Sequence, residues 1–485
     1  MLDRMGDSIQ PASDRERGSR CTRGIQWIAA VALAGGCGPT NSPEVAAWEV
    51  PPKNVLITLV DTWAAGHLAT YGYERDTMPF FGRLAEESIL FEDASSAAAY
   101  TLASVASIMT GSTTEVHQVS SVGQVLPTRL PVLAEVFQND GFETVGVSSN
   151  AHISESFGYG RGFDAFHYVP VNLRNGGPMQ VPESVLSGIE NFFETERTAP
   201  FFAYWHFLPP HAPYDPPPPF PDKYADYLPD TSVSRQMWKD SGRLRFWDYN
   251  QKEIQSLIDL YDSSLNYMDS VLERIYGELE RSGALDETLW IVLSDHGEAF
   301  GEHKSLQHSS YVYQELIHVP LLMRFPGGGG SSPQGRQRIS TPVSLVDLFP
   351  TLVDLYDLDA PPSPSGFSLL PLLRGEPWER PDPLFLNSTE HTSRVGLRSG
   401  SWKLVHDRST DKFQLFDLKG DPRELQPVSG GPLLELQAEL QARTALWDSG
   451  GEGNRVELGN DIEAHLREIG YVDELEQEEN QTQQD

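Results

Sequence analysis

The run Leu289-Trp290-Ile291-Val292-Leu293 is apolar at every position and stops at Ser294-Asp295-His296-Gly297-Glu298. An unbroken apolar run, rich in β-branched and aromatic types, fits a strand covered on both faces, as in a parallel sheet with helices above and below. Asp295 and His296 then sit at the strand's carboxyl end, the edge where open α/β sheets bind their ligands. A carboxylate and an imidazole are ligands that a divalent cation accepts, although the same pair alone would equally cap the next segment. The run Asn54-Val55-Leu56-Ile57-Thr58-Leu59-Val60 repeats the pattern and ends on a second carboxylate, Asp61. Two carboxylates and a histidine at the ends of two buried strands are a candidate metal site, because any other reading needs two independent coincidences.

Further strand candidates also end beside polar side chains. Val145-Gly146-Val147 precedes Ser148-Ser149-Asn150-Ala151-His152, and residues 201–205 precede His206 and then Pro210-His211-Ala212-Pro213-Tyr214. After Asp76-Thr77-Met78-Pro79, the residues Phe80, Phe81, Leu84 and Ile89 follow a helical pattern. Residues 215–250 are rich in proline and aromatics without a clear period, which predicts a long loop over the site. Ile254, Leu257, Ile258, Tyr261, Leu265, Met268, Val271, Leu272, Ile275 and Leu279 recur at three- and four-residue spacing and predict a helix that stops at Gly283. That stripe is read as core packing with no chemistry assigned to it. Residues 319–325 predict one more strand, and Gly327 to Gly330 a flexible connection. Beyond Gly375, short strand candidates at 395–398, 402–405 and 413–417, joined by Ser-Gly, Asp-Arg-Ser and Lys-Gly-Asp-Pro turns, predict a small antiparallel subdomain.

The start of the chain carries Arg20 and Arg23, a short apolar run from Ile25 to Ala34, and Gly35-Gly36-Cys37. This is the layout of a secretory signal, too short to span a bilayer as a stable helix. Its end resembles a bacterial lipoprotein signal, with Ala in place of the usual Leu three residues before Cys37. The expectation is export to the periplasm or cell envelope with a lipid anchor at Cys37, an ordinary cleaved signal being the alternative. Cys21 and Cys37 are the only cysteines, so the body has neither disulfides nor thiol chemistry. A formal charge of −33 excludes a generic nucleic-acid binder and leaves any anionic substrate to be drawn by local charge. The expected segments are a signal at 1–37, a linker at 38–52, a catalytic domain at 53–376, a C-terminal subdomain at 377–447 and an acidic tail at 448–485, with disorder from Glu474 onward.

In order, the chain carries Asn54 to Asp61 with Tyr71-Gly72-Tyr73, residues 101–111, Gly162-Phe163-Asp164, Pro210-His211-Ala212-Pro213-Tyr214 and Ser294-Asp295-His296-Gly297-Glu298. Val319-Pro320-Leu321, residues 343–352 and 366–375, Leu415-Phe416-Asp417-Leu418 with Asp421-Pro422, and Ile469-Gly470-Tyr471-Val472 follow. By these motifs the chain resembles the sulfatase family of the alkaline phosphatase superfamily from Asn54 to Val472. The resemblance implies an α/β fold: a large mixed, mainly parallel sheet sandwiched by helices, with a small C-terminal α+β subdomain. It also implies one or two divalent cations (Ca, Zn, Mn or Mg) and hydrolysis or transfer of sulfate or phosphate esters, on a small-molecule, glycan or lipid substrate.

The departures from that family decide the chemistry. Where sulfatases read Cys or Ser, any residue, Pro, Ser, Arg, with the first residue oxidised to formylglycine, this chain has Thr101, Ala103 and Val105 at the first, third and fifth positions. Threonine cannot become that aldehyde. The family's paired aspartates are here Asp61-Thr62, and its substrate-binding Lys aligns with Asn150, with His152 in its companion place. Threonine is a competent nucleophile where a cation lowers the pKa of its hydroxyl, and the phosphodiesterase and phosphoethanolamine-transferase branches of the superfamily look similar. The resemblance thus implies a metal site of Asp61, Thr101, Asp295 and His296, a Thr101 nucleophile, and substrate contacts from Asn150 and His152. His211 and His308 are the candidates to protonate the leaving oxygen or bind an anion. His206 is a candidate to join them at a second metal. A different reading is a non-catalytic relative that binds sulfated or phosphorylated glycans.

Overall fold

The computed structural model describes residues 51–485 apart from 172, 174–176, 225–229, 240–245, 328–336, 389–393, 451–454, 457–458 and 469–485. The signal, Cys37 and most of the linker lie outside the described residues, as do Gly328 to Gly330 and the stretch from Glu474 onward. Among the described residues no helix is long and apolar enough to cross a membrane.

The sheet is built on the strands β1 (Asn54–Val60), β2 (Ile89–Ser95), β3 (Glu143–Ser148), β4 (Ala165–Tyr168), β5 (Phe201–Phe207) and β6 (Thr288–Leu293). With Gln337–Ile339 and His318–Arg324 they lie in the order Gln337–Ile339, β2, His318–Arg324, β6, β1, β5, β3, β4, and Val343–Ser344 also pairs with β2. The neighbours β6, β1, β5, β3 and β4 are mutually parallel, while His318–Arg324 runs antiparallel to both β6 and β2. The expected architecture of a large, mainly parallel mixed sheet between helices is therefore present.

Strand alternation divides the apolar residues between two cores. Leu56 and Val60 of β1, Trp290 and Val292 of β6, and Trp205 of β5 pack on the face covered by the helices Pro79–Ala85, Glu183–Glu194 and Gln251–Ser282. Val55, Ile57, Leu59, Leu289, Ile291 and Leu293 face the opposite core, against Thr101–Thr110, Leu133–Asn139 and Leu348–Tyr356. β1 and β6 are buried at every residue, which is why their sequences show no alternation of polarity. Fully burying one such Leu or Ile contributes roughly 1.5–3 kcal/mol.

The long helix spans Gln251–Ser282, started by the Asn250 side chain, which accepts from Lys252 N and Glu253 N, and stopped by Gly283 at φ 77°. Two expectations are corrected. Ile89 is not part of the preceding helix, which ends at Ala85; after Glu86-Glu87-Ser88 it opens β2, where its side chain is buried in the sheet core. The predicted loop at 215–250 contains a helix at Thr231–Lys239 and a 3-10 turn at Phe246–Asp248. Asn460–Glu468, upstream of the stretch expected to be disordered, is a helix that buries His465 and Leu466. The C-terminal sheet has the three predicted strands, Arg394–Ser399, Trp402–Asp407 and Lys412–Asp417, plus Leu384–Asn387 at one side, all antiparallel and covered by Leu433–Ser449.

Candidate metal centre and catalytic groups

Parallel pairing brings the carboxyl ends of β1, β5 and β6 level, with Leu59 beside both His206 and Leu293. Asp61 therefore emerges next to Asp295 and His296. One ligand atom from each of Asp61, Asp295 and His296 lies within 4.8 Å of the others, and all three side chains are buried. His296 Nε2 is 3.5 Å from Asp295 Oδ2 and 4.0 Å from Asp61 Oδ1. Those two carboxylate oxygens have no hydrogen-bond partner. A buried, unpartnered carboxylate oxygen is costly, and two of them beside one imidazole nitrogen fit a divalent cation.

The surrounding groups set each ligand's direction. His296 Nδ1 lies 2.9 Å from the Gly297 carbonyl, which in the Nδ1–H tautomer leaves Nε2 as the coordinating nitrogen. Asp295 Oδ1 accepts from the backbone N–H groups of Thr62 (3.2 Å) and His296 (3.0 Å). Asp61 Oδ2 accepts from Asn150 Nδ2 at 2.7 Å and lies 3.0 Å from His206 Nε2. Gly297 is needed for close approach: a Cβ there would stand 2.1 Å from the Glu315 carbonyl, while its N–H donates to Leu316 O at 2.7 Å.

The charges conflict in the way a cation would relieve. Burial alone would raise the Asp61 carboxyl, but the His206 hydrogen bond and the nearby imidazoles hold it well below the usual range. Asp295 is raised by burial and by the Asp61 charge beside it. Burial pulls His296 down, yet the two carboxylates push it above its ordinary value.

Thr101 opens the fully buried helix Thr101–Thr110, and its Oγ1 lies 3.1 Å from His296 Nε2. Ser104, one turn on, donates to the Asp295 carbonyl at 2.7 Å and ties this helix to the centre. The first-turn N–H groups of an α-helix lack helical partners and favour an anion. The site's helix and strand ends therefore bring together the Thr101 hydroxyl, the Asp61, Asp295 and His296 cluster and a helix N-terminus.

The structure brings the remaining candidates close, in different roles. The ring centroid of His308 is 4.5 Å from that of His296 and 5.0 Å from that of His211. Burial draws His211 down to about 4 and His308 well below its ordinary range. His152 is likewise drawn to about 3 by burial, its Nε2 lying 3.2 Å from the Tyr100 hydroxyl. Asn150 turns its amide nitrogen onto Asp61 and its oxygen onto the His152 N–H (2.9 Å). His206 does not form a second centre with His211 and His308: its Nε2 faces Asp61 and its Nδ1 lies 3.0 Å from the Tyr204 hydroxyl.

Sequence reasoning missed several supports. Tyr261 lies in the stripe read as packing alone, and it does pack; its hydroxyl also donates to Thr62 O at 2.7 Å and accepts from Ala64 N at 3.0 Å. It thereby fixes Thr62 at φ 53°, from which the Thr62 N–H reaches Asp295. Trp238, on the helix in the predicted loop, meets the His211 ring edge-on at 5.4 Å and donates Nε1–H to the Glu468 carbonyl at 2.9 Å. The aromatic content of 215–250 was the available signal.

A mainly parallel sheet bearing a two-carboxylate, one-histidine cluster and a helix-terminal hydroxyl defines an α/β protein with a candidate cation site at the carboxyl ends of its strands. The Sulfatase family model matches residues 53–358, and a model described as the C-terminal region of N-sulphoglucosamine sulphohydrolase matches 301–447. The chain belongs to the sulfatase family. It is 32% identical to arylsulfatase K of Mus musculus over 195 residues, 37% of this chain and 34% of that protein. It is 32% identical to the choline-sulfatase of Rhizobium meliloti (strain 1021) over 213 residues, 42% and 40% of the two chains. The matched stretch thus spans about a third of the first of these curated relatives. The fold matches that of the phosphonate monoester hydrolase of Agrobacterium radiobacter, with TM-score 0.66 and 21% identity over 82% of this chain and 96% of that one.

Proposed function

We propose that this protein is a divalent-cation-dependent hydrolase of sulfate or phosphate-type esters in which Thr101 is the nucleophile. The observation that carries the reading is Thr101 Oγ1 at 3.1 Å from His296 Nε2, on the edge of the Asp61, Asp295 and His296 cage. Similarity to arylsulfatase K, choline-sulfatase and a phosphonate monoester hydrolase supports an ester of a tetrahedral oxyacid as substrate. A cation bound by Asp61, Asp295, His296 and Thr101 would lower the threonine's pKa and offset the charge of the anion.

In the first step Thr101 Oγ1 bonds to sulfur or phosphorus, and its proton passes to a water molecule that enters with the substrate. The bond to the ester oxygen breaks, its electron pair stays on that oxygen, and His308 or His211 supplies the proton. Water then cleaves the threonine ester; one of its protons restores the hydroxyl and the other returns to the histidine. His152 and the first turn of Thr101–Thr110 line the anion's side of the site. Dividing the reaction this way replaces one hard displacement with two easier ones.

The test is turnover of 4-nitrophenyl sulfate, a phosphate monoester, a phosphodiester and a phosphonate monoester by cation-loaded protein. Turnover of at least one, lost in Thr101→Ala with the cation retained, is expected. No turnover together with tight binding of a sulfated or phosphorylated glycan would replace the reading with the non-catalytic one. Export with lipidation of Cys37 is proposed from the signal-like segment; membrane partitioning of wild type but not Cys37→Ser is its expected outcome, and equal partitioning would leave an ordinary signal.

A further inference from the structure

We infer that Trp238 is a specificity-determining residue whose indole receives the apolar face of a ring, aromatic or sugar, in the alcohol part of the ester; this rests on the ester-hydrolase reading above. Thr101 opens a helix whose residues are all buried. In a displacement at sulfur or phosphorus the attacking and leaving oxygens lie roughly in line. The alcohol part therefore points away from that helix, toward the partly exposed side of the site. From the cluster a row of rings leads outward: centroids are 4.5 Å apart from His296 to His308, 5.0 Å from His308 to His211 and 5.4 Å from His211 to Trp238. His296 and His211 are fully buried and the His308 side chain is 6% exposed, whereas Trp238 is half-buried. Trp238 is thus the first ring of the row that a ligand's organic part meets on its way in.

The indole is held on two sides. Its helix, Thr231–Lys239, is tied to the turn that carries His211, because Ser234 Oγ accepts from Tyr214 N at 2.6 Å and Arg235 pairs with Asp215 and donates to the Gly177 carbonyl at 2.9 Å. On the other side Trp238 Nε1–H donates to the carbonyl of Glu468 at 2.9 Å, the last residue of the helix Asn460–Glu468. That helix is anchored by Leu466, which is fully buried, and by His465 Nδ1 on the Tyr168 hydroxyl. Tyr168 pairs with Ser148, two residues before Asn150 and four before His152. The C-terminal helix therefore links the strand end beside Asn150 and His152 to the indole beside His211. With its one polar hydrogen given to a backbone carbonyl, Trp238 offers a ligand carbon surface only. A ring laid on that surface buries more apolar area than a short alkyl chain and gains the contact energy of an aromatic face.

The experiment titrates cation-loaded wild type, Trp238→Leu and Trp238→Phe calorimetrically with ethanesulfonate, phenylmethanesulfonate and cyclohexylmethanesulfonate. In these anions a carbon–sulfur bond replaces the ester linkage, so binding is read without turnover. Wild type should bind at least one ring-bearing sulfonate about tenfold more tightly than ethanesulfonate. A margin for the phenyl compound marks an aryl alcohol, and one for the puckered cyclohexyl compound a sugar-like alcohol. Trp238→Leu, apolar but without a ring face, should lose that margin while binding ethanesulfonate as wild type does. Trp238→Phe, which keeps a ring face without the N–H, should keep most of it. The margin is a ratio of two affinities of one protein, so a smaller folded fraction does not change it. No margin in wild type, an unchanged margin in Trp238→Leu, or an equal loss on all three anions would overturn the proposal and leave the ester-hydrolase reading standing. Wild type that binds none of the three would instead remove that reading, and this inference with it.

Discussion

The same three strands have opposite characters at their two ends. Where β1, β5 and β6 begin, a cavity of about 530 Å³ opens between Asn54, Phe201, the end of Glu183–Glu194 and the end of Gln251–Ser282. Its three cations are each paired: Lys53 with Glu287 at 3.0 Å, Arg197 with Glu143 at 3.2 Å, and Arg281 with Glu278. Asn54 there accepts from Phe201 N at 3.2 Å. Where the strands end, Asp61, Thr101, Asp295, His296 and His211 are buried, yet Asp61 Oδ1 and Asp295 Oδ2 lack hydrogen-bond partners. This cavity and the unpartnered buried oxygens thus lie at opposite edges. The incomplete edge is the better guide to chemistry, because a paired surface charge has little left to offer a ligand while a buried orphan oxygen demands one.

Substitutions at the two edges should separate accordingly. Thr101→Ala should lower turnover by roughly 10³-fold or more while the cation stays bound, and Thr101→Ser should keep part of the rate, read as kcat on the best ester. Asp295→Ala should fold but lose its divalent cation, measured by elemental analysis of the dialysed protein; unchanged metal content would break the centre's assignment. Asn150→Ala, which removes the 2.7 Å donor to Asp61, should weaken cation affinity by about 10–100-fold without abolishing it. At the opening edge Lys53→Ala, whose ion pair with Glu287 is half exposed on both sides, should shift stability by about 1 kcal/mol at most and leave turnover unchanged.

A buried histidine outside both edges gives a pH control. Burial draws His117 down to about 3; its Nδ1 accepts from Val119 N–H at 3.0 Å and its Nε2 faces Ser107 Oγ at 3.0 Å. The unfolded chain binds this proton below about 6.5 and the folded chain only near 3. The contribution of neutral His117 is therefore fully present above about 6.5 and is lost as the pH falls toward 3. Chemical denaturation across that window should show a slope about one proton smaller in His117→Asn than in wild type.

Much of this was legible in the residues themselves. β1 and β6 are apolar at nearly every position because both faces are covered, and each is followed by a carboxylate of the cluster, so the strands and the grouping of Asp61, Asp295 and His296 could be read together. The supports were less legible because they depend on register and direction. Tyr261 belongs to an apolar stripe, and only packing reveals that its hydroxyl reaches the backbone of Thr62 and Ala64. Asn150 occupies a place associated with substrate, but its direction toward Asp61 follows from how β3 and β5 pair. Ile89 continued a helical spacing across Glu86-Glu87-Ser88, and the sheet, not local propensity, draws it into β2. The helix Thr231–Lys239 was hidden by neighbouring prolines and aromatics that carry no period.

The most direct test of a threonine nucleophile at this centre is to quench cation-loaded protein during turnover and sequence the peptide bearing Thr101 by mass spectrometry. A covalent sulfo- or phospho-group on Thr101, absent in Thr101→Ala and absent when the cation is stripped, is the predicted result. Wild-type turnover rates in Thr101→Ala would contradict it and pass the chemistry to water or to another group.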